Sequence, residues 1–255
     1  MHRHLVTPDA LLADTCVLGK EEARHLQTVL RVKPGDSIQL FDGQGHTRTT
    51  TVTVVEKNSL TLSAVEPVVS HRQAPCAITL FVCISKGKHM DWTLEKAVEL
   101  GVARIVPVIS DRTIVRVDAE DREAKVDRWM RIAEEAARQS GRAWLPEILT
   151  PRSFKESLAL VQQTTPTFVA ALTPNAKPLR DSLLPPTSSL LPPPSSLQPP
   201  PSQAGWFVGP EGDFTPDELQ RLLDAGALPV SLGPLVLRAE TACLYGLCAL
   251  NCAWM

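Results

Sequence analysis

The sequence predicts an α/β protein in which a mainly parallel sheet, with helices on both faces, follows a smaller β-rich module. Three observations carry this prediction. From about Ile78 onward, short apolar strands alternate with helical stretches, the rhythm of a parallel sheet built from crossover units. Ile78 to Ile84 reads as a continuous apolar strand, the mark of a sheet covered on both faces. Near the C-terminus, strand, glycine-rich turn and helix recur twice in tandem. Gly205-Trp206-Phe207-Val208 breaks into Gly209-Pro210-Glu211-Gly212, and Val230-Ser231-Leu232 breaks into Gly233-Pro234. Open α/β sheets bind ligands beyond the carboxyl ends of their strands, so these two turns mark the candidate active site.

Composition narrows the class. A chain of 255 residues can bury the core of one large or two modest domains. A formal charge of −2 excludes attachment to nucleic acid by bulk charge alone and leaves room for a local basic face. Met1-His2-Arg3-His4 leads into mixed residues and Pro8-Asp9, which does not read as a signal peptide. The closest approach to a membrane span contains Arg238 and Glu240, so a cytoplasmic protein with no membrane attachment is expected. The six cysteines, Cys16, Cys76, Cys83, Cys243, Cys248 and Cys252, form no Cys-x-x-Cys pair and have no companion histidine cluster. They are expected to be small buried apolar residues in a reducing compartment, with no metal.

Taken in order, residues up to about Pro67 predict short strands at Ser37 to Phe41, Thr47 to Val55 and Leu60 to Val65, the first two separated by turn chemistry at Asp42-Gly43-Gln44-Gly45. One helix, Glu21 to Leu30, interrupts them, with Ala23, Leu26, Val29 and Leu30 on its apolar face. Beyond Pro75 the spacing predicts a helix over Asp91 to Leu100 and a strand over Ile105 to Ile109. A long helix follows from about Arg122 to Gln139, carrying Val126, Trp129, Met130, Ala133 and Ala137 at helical intervals. A short strand at Glu147 to Leu149, a helix over Phe154 to Val161 and a strand over Phe168 to Leu172 come next. Pro185 to Ser202 is a proline, serine and leucine tract that fits neither helix nor central strand, and is expected to be an extended loop inserted between sheet strands. Thr215-Pro216-Asp217-Glu218 has the hydroxyl N-cap, first-turn proline and third-position glutamate of a helix start. Arg238 to Leu250 predicts a buried final helix.

The glycine turns carry neither Gly-x-x-x-x-Gly-Lys-Ser/Thr nor Gly-x-Gly-x-x-Gly, which argues against nucleotide triphosphates and dinucleotides. Gly209-Pro210-Glu211-Gly212 offers close backbone approach and one carboxylate, suited to a ligand bearing a cation and a polar heterocycle. Together with Leu232-Gly233-Pro234 and Leu237-Arg238-Ala239-Glu240-Thr241-Ala242, it closely resembles the cofactor loops of the RsmE family of SPOUT-type methyltransferases. Arg24-His25-Leu26, Phe41-Asp42-Gly43, Glu95 to Gly101, Glu134-Glu135-Ala136 and Gln139-Ser140-Gly141-Arg142 also look like family positions. The resemblance spans nearly the whole chain except the proline tract.

It implies a PUA-like β-barrel RNA-binding domain over 1–72 and a trefoil-knotted methyltransferase domain over 73–255, carrying the proline-rich loop at 185–202. It also implies a homodimer, S-adenosylmethionine as cofactor, and methylation of N3 of a uridine in small-subunit ribosomal RNA rather than DNA. The apolar circumference of the last helix, from Ala242 through Ala253, favours a dimer independently. By resemblance the cofactor is cradled by Leu172, Pro174, Gly209, Glu211, Gly212, Leu232, Gly233, Leu237 and Thr241.

Alignment can supply about 7–11 kcal/mol of the methyl-transfer barrier, against ~10²–10⁴-fold in rate from a general base. Arg238 is therefore expected to orient the uridine or stabilise its developing negative oxygen, with Glu240 or Glu211 accepting a proton or holding the arginine. Positive side chains over both domains, Arg3, Arg24, Arg31, Lys86, Lys88, Arg112, Arg116, Arg138 and Arg142, are the expected RNA contacts. Three positions depart from the family: Asp213 stands where glycine is usual, Leu235 where arginine is frequent, and Ala239 where threonine is common. Two rival readings stay open, a ribose 2′-O-methyltransferase of the same fold and a non-catalytic RNA-binding relative.

Overall fold

The computed structural model describes residues 2–28, 30–118, 120–183 and 200–254, with His25 described in its backbone alone. The expected proline-rich loop falls outside the described residues except for 200–202, as does Val29 of the predicted N-terminal helix. Contacts divide the chain into two units. One is Met1–Gln73 with Ala137–Leu145; the other is Ala74–Ala136 with Pro146–Met255. The segment 137–145, assigned from sequence to the second domain, thus clusters with the first. Backbone hydrogen bonds explain it: Gly45 N donates to Ala143 O (3.1 Å) and Leu145 N to Gly43 O (2.9 Å).

In the first unit the elements are β1 (His2–Leu5), α1 (Pro8–Leu12), β2 (Thr15–Leu18), α2 (Lys20–Thr28), β3 (Ser37–Phe41), β4 (His46–Glu56), β5 (Ser59–Ala64) and β6 (Val69–Ser70). They form one sheet in the order β1-β3-β4-β5-β2, with β6 on β4. All pairs are antiparallel except β1 with β3. Alternation along the strands buries Ile38, Leu40, Val52, Leu60 and Leu62 on one side, where Ala23 and Leu26 of α2 pack. A register shift between Val52 and Val54 puts a bulge in the longest strand, the device by which antiparallel sheets bend. The sequence missed β1, α1 and β2, whose four or five residues are too short to show a period.

The second unit runs β7 (Ala77–Cys83), α3 (Lys88–Glu99), β8 (Arg104–Ile109), α4 (Asp121–Ser140), β9 (Glu147–Ile148), β10 (Arg152–Ser153), α5 (Phe154–Gln163), β11 (Thr167–Ala170), β12 (Lys177–Pro178), α6 (Leu179–Leu183), β13 (Gln203–Val208), α7 (Pro216–Asp224), β14 (Leu228–Ser231) and α8 (Ala239–Trp254). Every strand pair is parallel, in the order β10-β8-β7-β13-β11-β14-β12, with β9 on β8. This is the expected covered parallel sheet. One face buries Phe81, Val106, Phe154, Phe207, Phe214 and Leu222, with Phe81 and Phe207 stacked at 5.2 Å between ring centroids. On the other face, Gly246 of α8 lies against the Trp206 indole, whose Nε1 donates to Ala242 O at 3.2 Å. A Cβ at position 246 would collide with that ring, so glycine in mid-helix is set by close packing despite its propensity cost of about 1 kcal/mol.

The tandem strand–turn–helix repeat in the sequence suggests that the two glycine turns follow neighbouring strands. Strand order corrects this, because β11 lies between β13 and β14. Three adjacent parallel strands therefore end on one side, and the loop after β11 stands between the two glycine turns.

Candidate active site

A cleft of about 460 Å³ opens beyond the carboxyl ends of β11, β13 and β14. Its floor is Ala170, Val208 and Val230, the last residues or near-last residues of those strands. Leu172, Gly209, Glu211, Leu232, Gly233, Leu237, Arg238 and Glu240 of the sequence-predicted site line it. Pro174, Gly212 and Thr241 are not among its lining residues; each is exposed, Thr241 on the outward side of α8. Strand β11 ends at Ala170, two residues earlier than predicted, so Leu172 belongs to the loop and is 63% exposed. Leu235 and Asp213 also line the cleft.

The loop after β13 is braced from below. Thr215 Oγ1 accepts from Glu218 N (3.2 Å) and Glu218 Oε2 accepts from Thr215 N (2.9 Å), the capping box expected at this helix start. The other oxygen of this buried carboxylate accepts from Asp111 N at 2.8 Å, tying the turn after β8 to α7. Arg112 Nη1 donates to Gly212 O at 2.8 Å. Arg112, one of the expected RNA contacts, is exposed, and its guanidinium holds the loop after β13. Asp213 adopts a left-handed backbone, φ 59°, which fits the glycine expected there. Gly233, φ 116°, has open space on the side where a Cβ would sit, so a planar ligand can approach this backbone.

Beneath the cleft, Cys83 is fully buried and donates to Ser110 Oγ at 3.5 Å. Burial pushes its thiol up to about 12, which keeps it neutral and chemically inert. Burial likewise raises the Cys243 thiol. The expectation that all six cysteines are buried fails at Cys248 and Cys252, which occupy the exposed side of α8.

Arg238 is exposed at the cleft and has no ion pair among the described residues. Of the two carboxylates expected to hold it, Glu240 is engaged elsewhere, its Oε1 lying 3.2 Å from Nδ1 of His89, which sequence reasoning missed. No spacing announces a lone histidine. It enters because α3 follows β7, the strand beside β13, and so starts at the same end of the sheet.

The expected RNA contacts divide by environment. Arg24, Arg31, Lys86, Lys88 and Arg116 are exposed, while Arg138 and Arg142 are half-buried. Burial lowers Arg142 to about 10, still cationic at neutral pH. Arg3 is corrected outright. It is buried, its Nε donates to Gln39 Oε1 (2.8 Å), its Nη1 to the carbonyls of Ala137 (3.0 Å) and Arg142 (3.2 Å), and its guanidinium covers the Phe41 ring. It is a structural residue of the first unit.

A cleft of this size lies within the ~300–1,000 Å³ usual for small-molecule sites. Apolar walls, the open backbone of Gly233 and the Glu211 and Glu240 carboxylates fit S-adenosylmethionine, which combines an adenine with a cationic sulfonium. Fold and cleft together define a cofactor-binding α/β enzyme joined to a small β module. Comparison with known proteins agrees: residues 72–251 match the family model of an RNA methyltransferase domain and residues 18–65 that of an RNA methyltransferase PUA domain. The chain is 30% identical over 239 residues to the ribosomal RNA small subunit methyltransferase E of Bacillus subtilis, covering 94% of this chain and 90% of that protein. It is also similar to the enzyme of that name from Neisseria gonorrhoeae, solved bound to S-adenosyl methionine: TM-score 0.82, 33% identity, 100% of this chain and 98% of that one. A Legionella pneumophila protein solved in complex with the same cofactor gives TM-score 0.85 at 30% identity, over 99% and 97% of the two chains. The chain belongs to the ribosomal RNA small subunit methyltransferase E family.

Proposed function

We propose that this protein transfers the methyl group of S-adenosylmethionine to N3 of a uridine in small-subunit ribosomal RNA. The observation that carries the reading is the cleft itself: two glycine turns and the loop after β11 converge at adjacent strand ends, in a chain of this family. The bound cofactor supplies an electrophilic methyl group on sulfur. The chain supplies the setting. Leu172, Val208, Val230 and Leu232 offer apolar surface to the adenine, the open backbone of Gly233 allows close approach between Gly209 and Leu237 on the cleft wall, and Glu211 offers a carboxylate to the ligand's positive groups. Arg238, exposed and without a protein partner among the described residues, meets the uracil and stabilises the negative oxygen that develops as N3 reacts.

In this reading Arg24 and Arg31 of the first unit, and Lys86, Lys88 and Arg116 of the second, neutralise RNA phosphates, and affinity falls steeply with salt. The protein acts in the cytoplasm as a homodimer with the family's trefoil knot; the exposed Tyr245 and Cys248 on α8 support an interface there. Among the described residues no helix is long and apolar enough to cross a membrane.

Mass-spectrometric mapping of the methyl group on ribosomal RNA from cells with and without the gene tests this directly. Loss of N3-methyluridine on deletion is expected. A ribose 2′-O-methyl product overturns the base-methylation reading, and failure to bind S-adenosylmethionine in calorimetry leaves only an RNA-binding relative.

A further inference from the structure

The proposed reaction requires the uracil N3 proton to go somewhere, and neither Arg238 nor the glycine backbones can take it. Arginine stays protonated at any working pH. Glu211 and Asp213 line the cleft as carboxylates, and His89 is the acceptor there that a second charged side chain holds in place. His89, the second residue of α3, lines the same cleft as Arg238 and Glu240. Its Nδ1 lies 3.2 Å from Glu240 Oε1. The carboxylate side chain is only 15% exposed while the imidazole is 54% exposed, so the anion is fixed and the ring faces solvent space. A carboxylate at Nδ1 holds the proton on that nitrogen and turns the Nε2 lone pair outward. Among the described residues Nε2 has no hydrogen-bond partner. The first turn of α3 is itself anchored, with Thr93 Oγ1 donating to His89 O at 2.9 Å.

We infer that His89 is the proton acceptor of the methyl transfer and that Glu240 positions it. This rests on the proposed function above. The uracil N3 forms its bond to the methyl carbon, with the electron pair of the breaking carbon–sulfur bond returning to sulfur. The N3 proton passes to His89 Nε2, and the resulting imidazolium lies against the Glu240 carboxylate, so charge balances within the site. A base held by a carboxylate at one nitrogen and reacting through the other is a recurring arrangement in proton transfer. The charged groups lining the cleft with the ring are Glu240 and Arg238 at the start of α8 and Glu211 and Asp213 from the loop after β13, and Lys86 and Lys88 flank it in the chain. Asp91, the next acid on α3, is taken by Arg128 of α4.

The test uses the full-length protein, S-adenosylmethionine and small ribosomal subunits lacking the modification, with N3-methyluridine read by mass spectrometry across pH. The wild-type rate is expected to rise with pH through one ionisation and then level. His89→Ala is expected to lower kcat about 10²-fold, to leave cofactor affinity by calorimetry unchanged, to keep rising with hydroxide where the wild type levels, and to recover part of its rate with added imidazole. Glu240→Gln should fall between the two.

A second readout needs no turnover. Nitrogen-15 spectra of the His89 ring should show the Nδ1–H tautomer in the wild type and a mixture in Glu240→Gln. Wild-type kcat and pH profile in His89→Ala, or an Nε2–H tautomer in the native protein, overturns the assignment while leaving the proposed function intact. If the wild type itself forms no N3-methyluridine, the proposed function fails first and takes this role with it.

Discussion

The first unit and the cleft of the second treat their polar side chains in opposite ways. In the first unit Arg48, Arg3 and Asp42 are consumed by the fold. Arg48 Nη1 donates to the carbonyls of Leu11 (3.2 Å), Leu12 (2.9 Å) and Ala13 (3.0 Å), while Nη2 pairs with Asp14. Arg3 is spent on three acceptors, and buried Asp42 caps the turn after β3 by accepting from Gln44 N (2.7 Å) and His46 N (3.0 Å). At the cleft, Arg238 has no ion pair among the described residues and stands beside Leu235 and Val236, 72% and 78% exposed. Exposed apolar side chains next to an unspent cation are the kind of surface that a binding partner covers. Charge engaged with backbone serves stability, and charge left open serves binding.

That contrast breaks most visibly at Arg238. Arg238→Ala should lower kcat about 10²–10³-fold, as loss of one preorganised donor does, with the melting temperature unchanged, because nothing in the fold depends on its side chain. A comparable loss of stability would mean that the cleft also serves the fold. Arg3→Ala should do the reverse. Leaving the Ala137 and Arg142 carbonyls without their donor should cost about 2–3 kcal/mol in denaturant unfolding, while calorimetric affinity for S-adenosylmethionine stays at the wild-type value.

The sequence shows the second unit far better than the first, for physical reasons. A covered parallel sheet writes itself as unbroken apolar runs such as Ile78 to Ile84, and a capping box as Thr215 with Glu218. The first unit builds edge strands of four residues and ties down segment 137–145 by backbone hydrogen bonds, which leave no mark in side-chain pattern. At the site, the glycine turns stand out because their chemistry is local. Strand order does not, so the wedge of β11 between β13 and β14 was invisible. The Glu240–His89 pair joins residues 151 apart in sequence, and the burial of Arg3 depends on Gln39, Ala137 and Arg142, none of them nearby in the chain.

Asp42 sharpens the contrast through pH. Burial works against its charge, but the amides of His46 and Gln44 and the His46 ring outweigh that and hold the carboxyl below the usual range. A depressed folded pKa contributes stability above the unfolded value and loses it as pH falls through the folded one. Asp42→Asn should therefore destabilise by about 1–2 kcal/mol at neutral pH. The gap from wild type should close as pH drops below about 4, the unfolded aspartate value. A gap independent of pH would show that shape, rather than charge, caps the turn.

The smallest expected effect lies at Asp213, where both uses of a polar group meet. Its φ of 59° is costly for most side chains and tolerated by aspartate. Its amide donates to Pro210 O (2.9 Å) and its Oδ1 accepts from Phe214 N (2.8 Å), so the fold uses it, while its charge faces the cleft. Asp213→Gly relieves the backbone but frees the unfolded chain by about 0.4–1 kcal/mol and removes the Phe214 contact. The terms oppose each other, and stability should change by less than about 1 kcal/mol. The cofactor bears net positive charge, so losing the carboxylate should weaken its binding a few-fold at low salt and less at high salt, as screening predicts. Asp213→Asn keeps the left-handed tolerance and the acceptor oxygen without the charge. If both variants weaken binding equally, Asp213 acts on the ligand through charge. If only the glycine variant does, the residue works by fixing the loop, and it belongs with Arg3 and Asp42 rather than with Arg238.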